Sequence, residues 1–275
     1  MKKITIRDIQ KFKGSSTPFA TITAYDYVSA QNAEAVEIPL LLVGDSAAMV
    51  MYGMENTIPI SMDELIFLVR AVCRGTQNSL VVADMPFMSY QVSVEDAVRN
   101  AGKFVKQGGA GAVKLEGGTP YTSQIKAIID AGIPVMGHVG LLPQSYHLSS
   151  GYRIQGKSKL EADKIIEDAQ AVQESGAFAV VLEGIPGDLA KKITEILDIP
   201  TIGIGAGPHC DGQIQVYHDI LGLYGNFTPK HTKRFGNIGV DIQKKLLDYK
   251  NEVENKAFPT KEHFINSNTH LENSH

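Results

Sequence analysis

The sequence has few cysteines and no apolar segment at its start. Only two cysteines occur in 275 residues, Cys73 and Cys210, and they lie far apart in the chain. The opening stretch, MKKITIRDIQKFK, contains no apolar signal region. A disulfide framework is therefore not predicted, and we expect a cytoplasmic protein with both thiols reduced.

Long hydrophobic runs and basic clusters are missing as well. The richest apolar stretch, PLLLVGDSAAMVM, is interrupted by Gly44 and Asp45, so it falls short of the roughly 20 residues that a membrane-spanning helix needs. The formal net charge is −4, the isoelectric point is near 6.1, and no run of Lys and Arg occurs. We therefore expect neither a membrane protein nor a nucleic-acid partner.

The chain does contain a repeating pattern of short apolar runs, each followed by a small or polar residue and then a helix-like segment. Seven such runs are FATITAYD, PLLLVGDS, SLVVADMP, AGAVKLEGG, IPVMGHVG, AFAVVLEGIP and IPTIGIGAG. Continuous rather than alternating apolar runs favour strands that are buried on both faces of a parallel sheet. With 43% hydrophobic residues, the chain can bury a large core.

The segments between the runs predict amphipathic helices. Ser61 with Glu64 three residues later predicts a capping box, and Ser93 is a predicted N-cap. The predicted helices are SMDELIFLVRAVCRG, SVEDAVRNAGKFVKQGG, SKLEADKIIEDAQAVQESG and PGDLAKKITEILDIP.

Alternation of strands with helices predicts an α/β protein, and a (β/α)8 TIM barrel is the simplest account. The segment LYGNFTP, residues 223–229, is the best remaining candidate for the eighth strand, and a doubly wound open sheet is the alternative. No linker divides the chain. We predict one catalytic barrel domain over residues 1–265 and a polar, poorly ordered tail over 266–275.

Polar side chains cluster where the predicted strands end. They are Asp45, Ser46, Asp84, Lys114, Glu116, His138 and Glu183. The carboxyl ends of barrel strands form the active-site face, so these side chains should share one rim. Taken singly, an aspartate or serine after a strand is more often a helix cap than a ligand. Taken together, the four carboxylates would repel one another unless a cation neutralises them.

The ligand types indicate which cation that is. Oxygen ligands without a Cys or His cluster favour Mg²⁺ over zinc, and Mg²⁺ commonly takes one or two carboxylates with water and substrate oxygens. Asp45 and Asp84 are the best direct ligands, and Glu116 could bind directly or through a water.

The stretch AGAVKLEGG places two opposite charges on one strand face. Because successive side chains alternate, Lys114 and Glu116 point the same way, either at an exposed edge or into a site. Lys114 could pair with Glu116, hold an anionic substrate or form a Schiff base; nearby carboxylates keep it protonated, which favours anion binding. We interpret Gly117 and Gly118 as keeping the rim open.

Three weaker patterns are more often structural than functional. GIGAG at 203–207 suggests a phosphate cradle but lacks the full glycine spacing, and close packing of backbone or of a flat ligand explains it equally well. PHCDG at 208–212 contains three possible metal ligands, His209, Cys210 and Asp211, but side chains at adjacent positions point in different directions and do not converge on one ion. The tail histidines His263, His270 and His275 could bind a metal, but histidines in such a tail are several times more often surface residues that bind nothing.

Eight motifs, in order from about Ile4 to Phe264, resemble the ketopantoate hydroxymethyltransferase family. They are TAYDY, LVGDS, ADMPF, VKLEGG, GHVGLLPQS, GYRIQG, LEGIP and GIGAGPHCDGQ. The resemblance implies a barrel of the phosphoenolpyruvate/pyruvate superfamily, a homodecamer, and a step in pantothenate synthesis. In that family, 5,10-methylenetetrahydrofolate donates a hydroxymethyl group to 3-methyl-2-oxobutanoate, which gives 2-dehydropantoate.

The resemblance also implies roles for individual residues. Asp45, Asp84 and Glu116 match the Mg²⁺ site. Asp45, Ser46, Asp84 and Lys114 match the oxo-acid site, His138 matches a pocket histidine, and Glu183 matches the proposed proton acceptor.

Three rival functions have distinguishing signs. A Schiff-base aldolase would resist EDTA and be trapped on Lys114 by borohydride. A carbon–carbon lyase or mutase of the same superfamily would carry a Lys-Lys-Cys-Gly-His signature, which this sequence lacks. A non-enzymatic binding protein would tolerate loss of the acidic residues, and here every one of those positions is filled.

Overall fold

The protein forms a closed barrel of eight parallel strands, seen in a computed structural model that describes residues 2–148, 151–225 and 229–265. The strands are β1 (Phe19–Thr23), β2 (Leu40–Val43), β3 (Leu80–Asp84), β4 (Ala112–Lys114), β5 (Val135–Gly140), β6 (Ala179–Glu183), β7 (Thr201–Ile204) and β8 (Gly212–Gln215). Each strand pairs with the next, and β1 pairs with β8 to close the barrel. The predicted (β/α)8 fold is confirmed.

Helices surround the barrel and connect most of its strands. They are α1 (Ile6–Gln10), α2 (Tyr27–Ala35), α3 (Ala47–Val50), α4 (Met62–Gly75), α5 (Val94–Lys103), α6 (Thr122–Asp130), α7 (Lys159–Glu174), α8 (Gly187–Ile196), α9 (Tyr217–Leu221) and α10 (Ile238–Glu254). A π-helical turn at Phe104–Gly108 extends α5. Ser61 caps α4 through the predicted capping box with Glu64, and Ser93 caps α5.

The strands divide their side chains between two apolar layers. Leu40 and Leu42 point into the barrel, where Phe19 and Ile9 pack near its amino-terminal end. Leu41 packs outward in the layer shared with the helices. This alternation makes both faces of each strand apolar, which is why the sequence shows continuous runs.

The eighth strand is not where the sequence suggested. β8 lies at Gly212–Gln215, whereas residues 223–225 of the LYGNFTP segment form no strand; residues 226–228 lie outside the described residues. The prediction was wrong because β8 carries Gln213 and Gln215, which are only partly buried, instead of an apolar run. No helix separates β7 from β8, since residues 205–211 join them directly.

The carboxyl-terminal helix α10 differs from the others because none of its residues is buried. Residues 266–275, the predicted tail, lie outside the described residues, so the domain boundary at 265 stays a prediction. Among the residues that the structure describes, no helix is long and apolar enough to cross a membrane.

Candidate active site

The barrel brings the predicted strand-end residues together at its carboxyl-terminal end. Asp84, Lys114 and Glu183 are the last residues of β3, β4 and β6, and His138 lies within β5. Each continues the inward-facing row of its strand; Val82, for example, precedes Asp84 by two positions in the barrel interior. A register that keeps the apolar residues inside therefore also directs these polar groups inward.

Lys114 lies at the centre of the acidic group. Its Nζ donates to Asp84 Oδ1 at 2.7 Å and lies 3.8 Å from Glu116 Oε1. All three side chains are at most 4% exposed. The predicted common face of Lys114 and Glu116 is confirmed, and the exposed-edge alternative is excluded for this strand.

Asp45 and Ser46 do not cap the helix that follows them. Ser46 makes no side-chain cap hydrogen bond to α3; its Oγ lies 2.8 Å from the Tyr25 hydroxyl. Asp45 Oδ2 accepts from Gln144 Nε2 at 3.0 Å, and the Asp45 backbone N–H donates to Asp84 Oδ2 at 3.2 Å. The cap interpretation therefore has no support at either residue.

A histidine links two of the carboxylates. His138 Nδ1 lies 3.5 Å from Glu116 Oε1, and His138 Nε2 lies 3.3 Å from Glu183 Oε2. His138 and Glu116 are buried, whereas the Glu183 side chain is 19% exposed. Glu183 is therefore the member of this group that solvent or a ligand can reach from the mouth of the barrel.

Burial and mutual repulsion perturb the carboxyl groups. Burial, with the nearby carboxylates of Asp84 and Glu116, raises the pKa of Asp45 well above its usual range. Burial also raises the pKa of Asp84, although Lys114 opposes the shift. Glu116 moves the other way: burial is outweighed by His138, Lys114 and the Gln144 backbone N–H, which lower its pKa. The cluster holds more carboxyl groups than its two cations can keep ionised.

The two cationic side chains are held in their charged forms. Burial works against the charge of Lys114, but Asp84, Glu116 and Asp45 raise its pKa above the ordinary lysine value. Burial and Lys114 likewise oppose the charge of His138, but Glu116 and Glu183 raise its pKa to about 9. A protonated Lys114 is a poor Schiff-base nucleophile and a good anion ligand.

The donor set fits a magnesium ion better than a metal that needs a complete protein cage. Within residues 2–148, 151–225 and 229–265, no three His, Cys, Asp or Glu side chains are arranged to hold a metal by themselves. Mg²⁺ commonly takes only one or two protein carboxylates and fills its octahedron with water and substrate oxygens. Glu116 Oε1 is buried and makes no hydrogen bond within the described part of the chain, since Lys114 and His138 approach it only at ion-pair distances, so it can still accept from a bound water or bind a metal.

Sequence reasoning missed several residues that contact the cluster, among them Gln144 and Tyr25. Gln144 lies in a 3-10 turn after β5, and Tyr25 follows β1. Both residues also follow strands of the barrel, and residues in that position lie on its active-site face. Gln144 lies four residues beyond the end of β5, and Tyr25 contacts the cluster through Ser46, so neither contact could be seen from a position at a strand end.

The glycines near the site act through close packing. A Cβ on Gly44 would lie 2.8 Å from Ser46 Oγ. Gly117 and Gly118 are buried, so the interpretation that they keep the rim open was wrong. Gly117 has φ of +106°, and a Cβ there would meet the Tyr121 ring at 2.5 Å; on Gly118 it would meet Asp168 at 2.2 Å.

The weaker motifs form no second site in the described residues. In PHCDG, His209 is exposed, Cys210 is buried, and Asp211 binds structural partners at the opposite end of the barrel. In GIGAG, Gly205 packs against the His231 side chain. Of the tail histidines, His263 bonds with Thr260, while His270 and His275 lie outside the described residues.

Comparison with known proteins identifies the family to which this chain belongs. The model of the family described as ketopantoate hydroxymethyltransferase matches residues 3–261. The chain is 51% identical to 3-methyl-2-oxobutanoate hydroxymethyltransferase of Geobacter metallireducens, over 95% of this chain and 98% of that one. It is also 51% identical to the Clostridium acetobutylicum protein of the same name, over 95% of each chain.

Solved structures of lower similarity share the fold. Phosphonopyruvate hydrolase, solved with oxalate and Mg²⁺, has a TM-score of 0.61 at 14% identity, over 96% of this chain and 93% of that one. 2,3-Dimethylmalate lyase, a member of the PEP mutase/isocitrate lyase superfamily, has a TM-score of 0.59 at 14% identity, over 96% and 90%. At this level of identity the likeness concerns the barrel alone.

Proposed function

The chain belongs to the ketopantoate hydroxymethyltransferase family and is a transferase, and from that premise we propose that it transfers a hydroxymethyl group from 5,10-methylenetetrahydrofolate to 3-methyl-2-oxobutanoate. The product is 2-dehydropantoate, a precursor in pantothenate synthesis. The observation that carries the proposal is the buried Lys114 ammonium, 2.7 Å from Asp84 among further carboxylates at the mouth of the barrel. A small anionic oxo acid and a divalent cation fit such a group together.

The metal in this proposal is Mg²⁺, held by Asp45 and Asp84, with Glu116 as a direct ligand or one that acts through water. Bound there, it would supply Lewis-acid stabilisation of negative charge on the keto oxygen of the substrate. The raised pKa of Asp45 supports a cation at this position, because an added positive charge would let that carboxyl ionise. The fold neighbour phosphonopyruvate hydrolase was solved with Mg²⁺ and the small dianion oxalate.

The substrate carboxylate would be bound by Lys114 and Ser46. An ammonium has three N–H donors, and one of them already binds Asp84, so two remain for a substrate anion. The Ser46 hydroxyl lies 2.8 Å from the Tyr25 hydroxyl, and a donation by Tyr25 leaves the Ser46 hydrogen for the substrate.

Proton transfer would fall to Glu183. The reaction removes the proton from C3 of the oxo acid, and a later step removes a proton from the water that completes the hydroxymethyl group while the leaving folate nitrogen takes up a proton. Glu183 is the most exposed carboxylate of the cluster, and His138 Nε2 lies 3.3 Å from its Oε2. We propose that the charged imidazole orients this carboxylate toward the substrate.

The folate would enter above the cluster, past an aromatic pair. The Tyr152 ring stands 5.1 Å from that of Tyr146, edge to face, and the Tyr152 hydroxyl lies 3.8 Å from Met49 Sδ. Burial, with the carboxylates of Asp45 and Glu183, raises the pKa of Tyr152, which is consistent with a position over the site. A flat pterin can stack on such rings.

A single assay tests the central claim. Purified protein is supplied with 3-methyl-2-oxobutanoate, methylenetetrahydrofolate and Mg²⁺, and 2-dehydropantoate is measured with and without EDTA. We expect product with Mg²⁺ and its loss with EDTA, restored by excess Mg²⁺. No product in the presence of Mg²⁺ would contradict the proposed reaction, and EDTA-resistant turnover would favour the Schiff-base alternative.

We further propose that the enzyme acts in the cytoplasm as a homo-oligomer, a homodecamer by family resemblance. Helix α10 supports an oligomer, because one apolar stripe along it is exposed in the single chain. The stripe consists of Ile238, Ile242, Leu246, Tyr249 and Val253. Monomeric proteins rarely leave such a stripe uncovered. Cys73 and Cys210 are unpaired, which agrees with a reducing compartment.

Light scattering coupled to size-exclusion chromatography tests the assembly. We expect the mass of ten 29.8 kDa chains for the wild-type protein. Leu246→Glu should lower that mass, whereas Asn251→Glu places the same charge on the opposite side of α10 and should leave it unchanged. A monomeric wild-type protein would contradict the proposed assembly.

A further inference from the structure

We propose that Gln144 is a positioning residue that fixes the separation of the Asp45 and Glu116 carboxylates and thereby sets the affinity of the site for a divalent cation. The inference rests on the proposed function, because it takes these carboxylates as the metal site. Gln144 lies in the 3-10 turn Pro143–Ser145, immediately after β5, and is 5% exposed.

Gln144 bridges two carboxylates that come from different strands. Its backbone N–H donates to Glu116 Oε2 at 3.0 Å, and its side-chain Nε2 donates to Asp45 Oδ2 at 3.0 Å. Asp45 follows β2 and Glu116 follows β4, so neither strand alone determines how far apart the two carboxylates lie. One residue that donates to both can determine that separation.

The partners of the carboxamide fix its orientation. Nε2 also donates to the Met85 carbonyl at 2.9 Å, and a carbonyl can only accept. Oε1 lies 2.9 Å from the Tyr90 hydroxyl and 3.3 Å from Gln91 Nε2. A flipped amide would place two acceptors against each other at Met85 and at Asp45, so the NH₂ group must face the carboxylate.

A neutral donor suits this position better than a charged one. A lysine or arginine here would hold Asp45 but would compete with the bound cation for its charge, and a glutamate would repel Asp45. The amide orients Asp45 and leaves its charge available. Residues that orient metal ligands in this way commonly alter metal affinity about 10- to 100-fold when they are replaced.

The test measures binding of Mn²⁺ alone to EDTA-treated, full-length protein, through the electron paramagnetic resonance signal of free Mn²⁺. Gln144→Met removes both side-chain donations, keeps the backbone N–H and approximates the shape of glutamine. We expect at least about tenfold weaker Mn²⁺ binding. Gln170→Met is the matched control: the same substitution at an exposed position of α7 should change the affinity less than about threefold.

A second variant guards against a folding defect. Gln144→Asn keeps an amide but is one methylene too short to reach Asp45, and it should also weaken Mn²⁺ binding about tenfold. Circular dichroism identifies folded protein. If a folded variant at position 144 binds Mn²⁺ as tightly as wild type, the positioning role is overturned while the proposed function stands. If wild-type protein itself binds no Mn²⁺, the proposed metal site and this inference both fail.

Discussion

The two ends of the barrel each contain a lysine–aspartate pair with little exposure, and the pairs differ in how completely they are satisfied. At the amino-terminal end, Asp211 accepts from Lys13 Nζ at 3.2 Å, from the Gly14 N–H at 3.0 Å and from the Thr201 N–H at 2.8 Å. One carboxylate there meets one ammonium and two backbone donors.

At the carboxyl-terminal end, Lys114 and Asp84 belong to a cluster with surplus carboxylates. Glu116 Oε1 and both ring nitrogens of His138 are buried and make no hydrogen bond among the described residues; His138 meets Glu116 and Glu183 only at ion-pair distances of 3.5 and 3.3 Å. Unsatisfied buried polar groups cost stability, so a protein keeps them where a ligand completes them. In this molecule the pair with satisfied surroundings supports the fold, and the pair with incompletely satisfied surroundings lies in the candidate site.

Replacing Glu183 should give the largest effect. Glu183→Gln removes the proposed base but keeps the shape of the side chain, so kcat should fall about 10²- to 10⁴-fold with little change in oxo-acid KM. Glu195→Gln, the same substitution on the exposed face of α8, is the control. In D₂O without folate, NMR should also show loss of deuterium uptake at C3. Near-normal turnover would remove Glu183 as the base.

Removing Asp84 should weaken metal binding strongly. Asp84→Ala deletes a proposed direct ligand, so Mg²⁺ affinity measured by calorimetry should fall at least about 100-fold, beyond the usual effect of a residue that only orients a ligand. The comparison between the ends predicts that Asp211→Ala leaves Mg²⁺ affinity unchanged. Equal affinity losses in both variants would break the comparison.

Asp211→Ala should instead lower the stability of the fold. It removes the carboxylate partner of the partly exposed Lys13, which keeps its contact with the Thr194 carbonyl, and it leaves the Gly14 and Thr201 N–H groups without an acceptor. We expect the free energy of unfolding to fall by about 2–4 kcal/mol. Urea denaturation measures this change, and kcat per folded molecule should stay at the wild-type value. A loss of kcat without a loss of stability would assign a functional role to the amino-terminal end.

The smallest effect concerns pH and the stability of the metal-free protein. His138 has a raised pKa of about 9 in the folded state and an ordinary value near 6.5 when unfolded. Its stabilising contribution is therefore complete below about pH 6.5 and is lost as pH rises through about 9, with a slope of at most about 1.4 kcal/mol per pH unit.

Urea unfolding of metal-free protein between pH 6 and pH 10 checks this slope. His138→Gln should lose that component of the pH dependence, whereas the exposed His209→Gln should retain it. An unchanged profile in His138→Gln would show that Glu116 and Glu183 do not hold the imidazole in its charged form.

The sequence predicted much of the barrel because apolar runs and helix caps are patterns of neighbouring residues. Apolar runs located seven strands, and cap residues such as Ser61 and Ser93 located helix starts. It failed at β8, where Gln213 and Gln215 replace the apolar pattern and pairing with β1 and β7 defines the strand. Closure of a barrel is a long-range constraint that no single segment carries.

The sequence also predicted which charged residues form the acidic site, because their positions at strand ends are local features. It did not predict the hydrogen bonds between them. Parallel strands align their carboxyl ends, so Asp84, Lys114 and Glu183 had to meet once the fold was a barrel. The hydrogen bond from Gln144 to Asp45 spans 99 positions in the chain, and nothing in the local sequence of either residue indicates it.

By itself, then, the sequence determined which residues are inside, where the strands end, and which charged groups share the mouth of the barrel, because period and position in a strand decide each of these. The tertiary structure alone decided which oxygen each donor contacts, that Asp45 and Ser46 are not helix caps, and that Gly117 and Gly118 pack against side chains. Distances between segments arise only when the barrel closes, and the chemistry of the site depends on those distances.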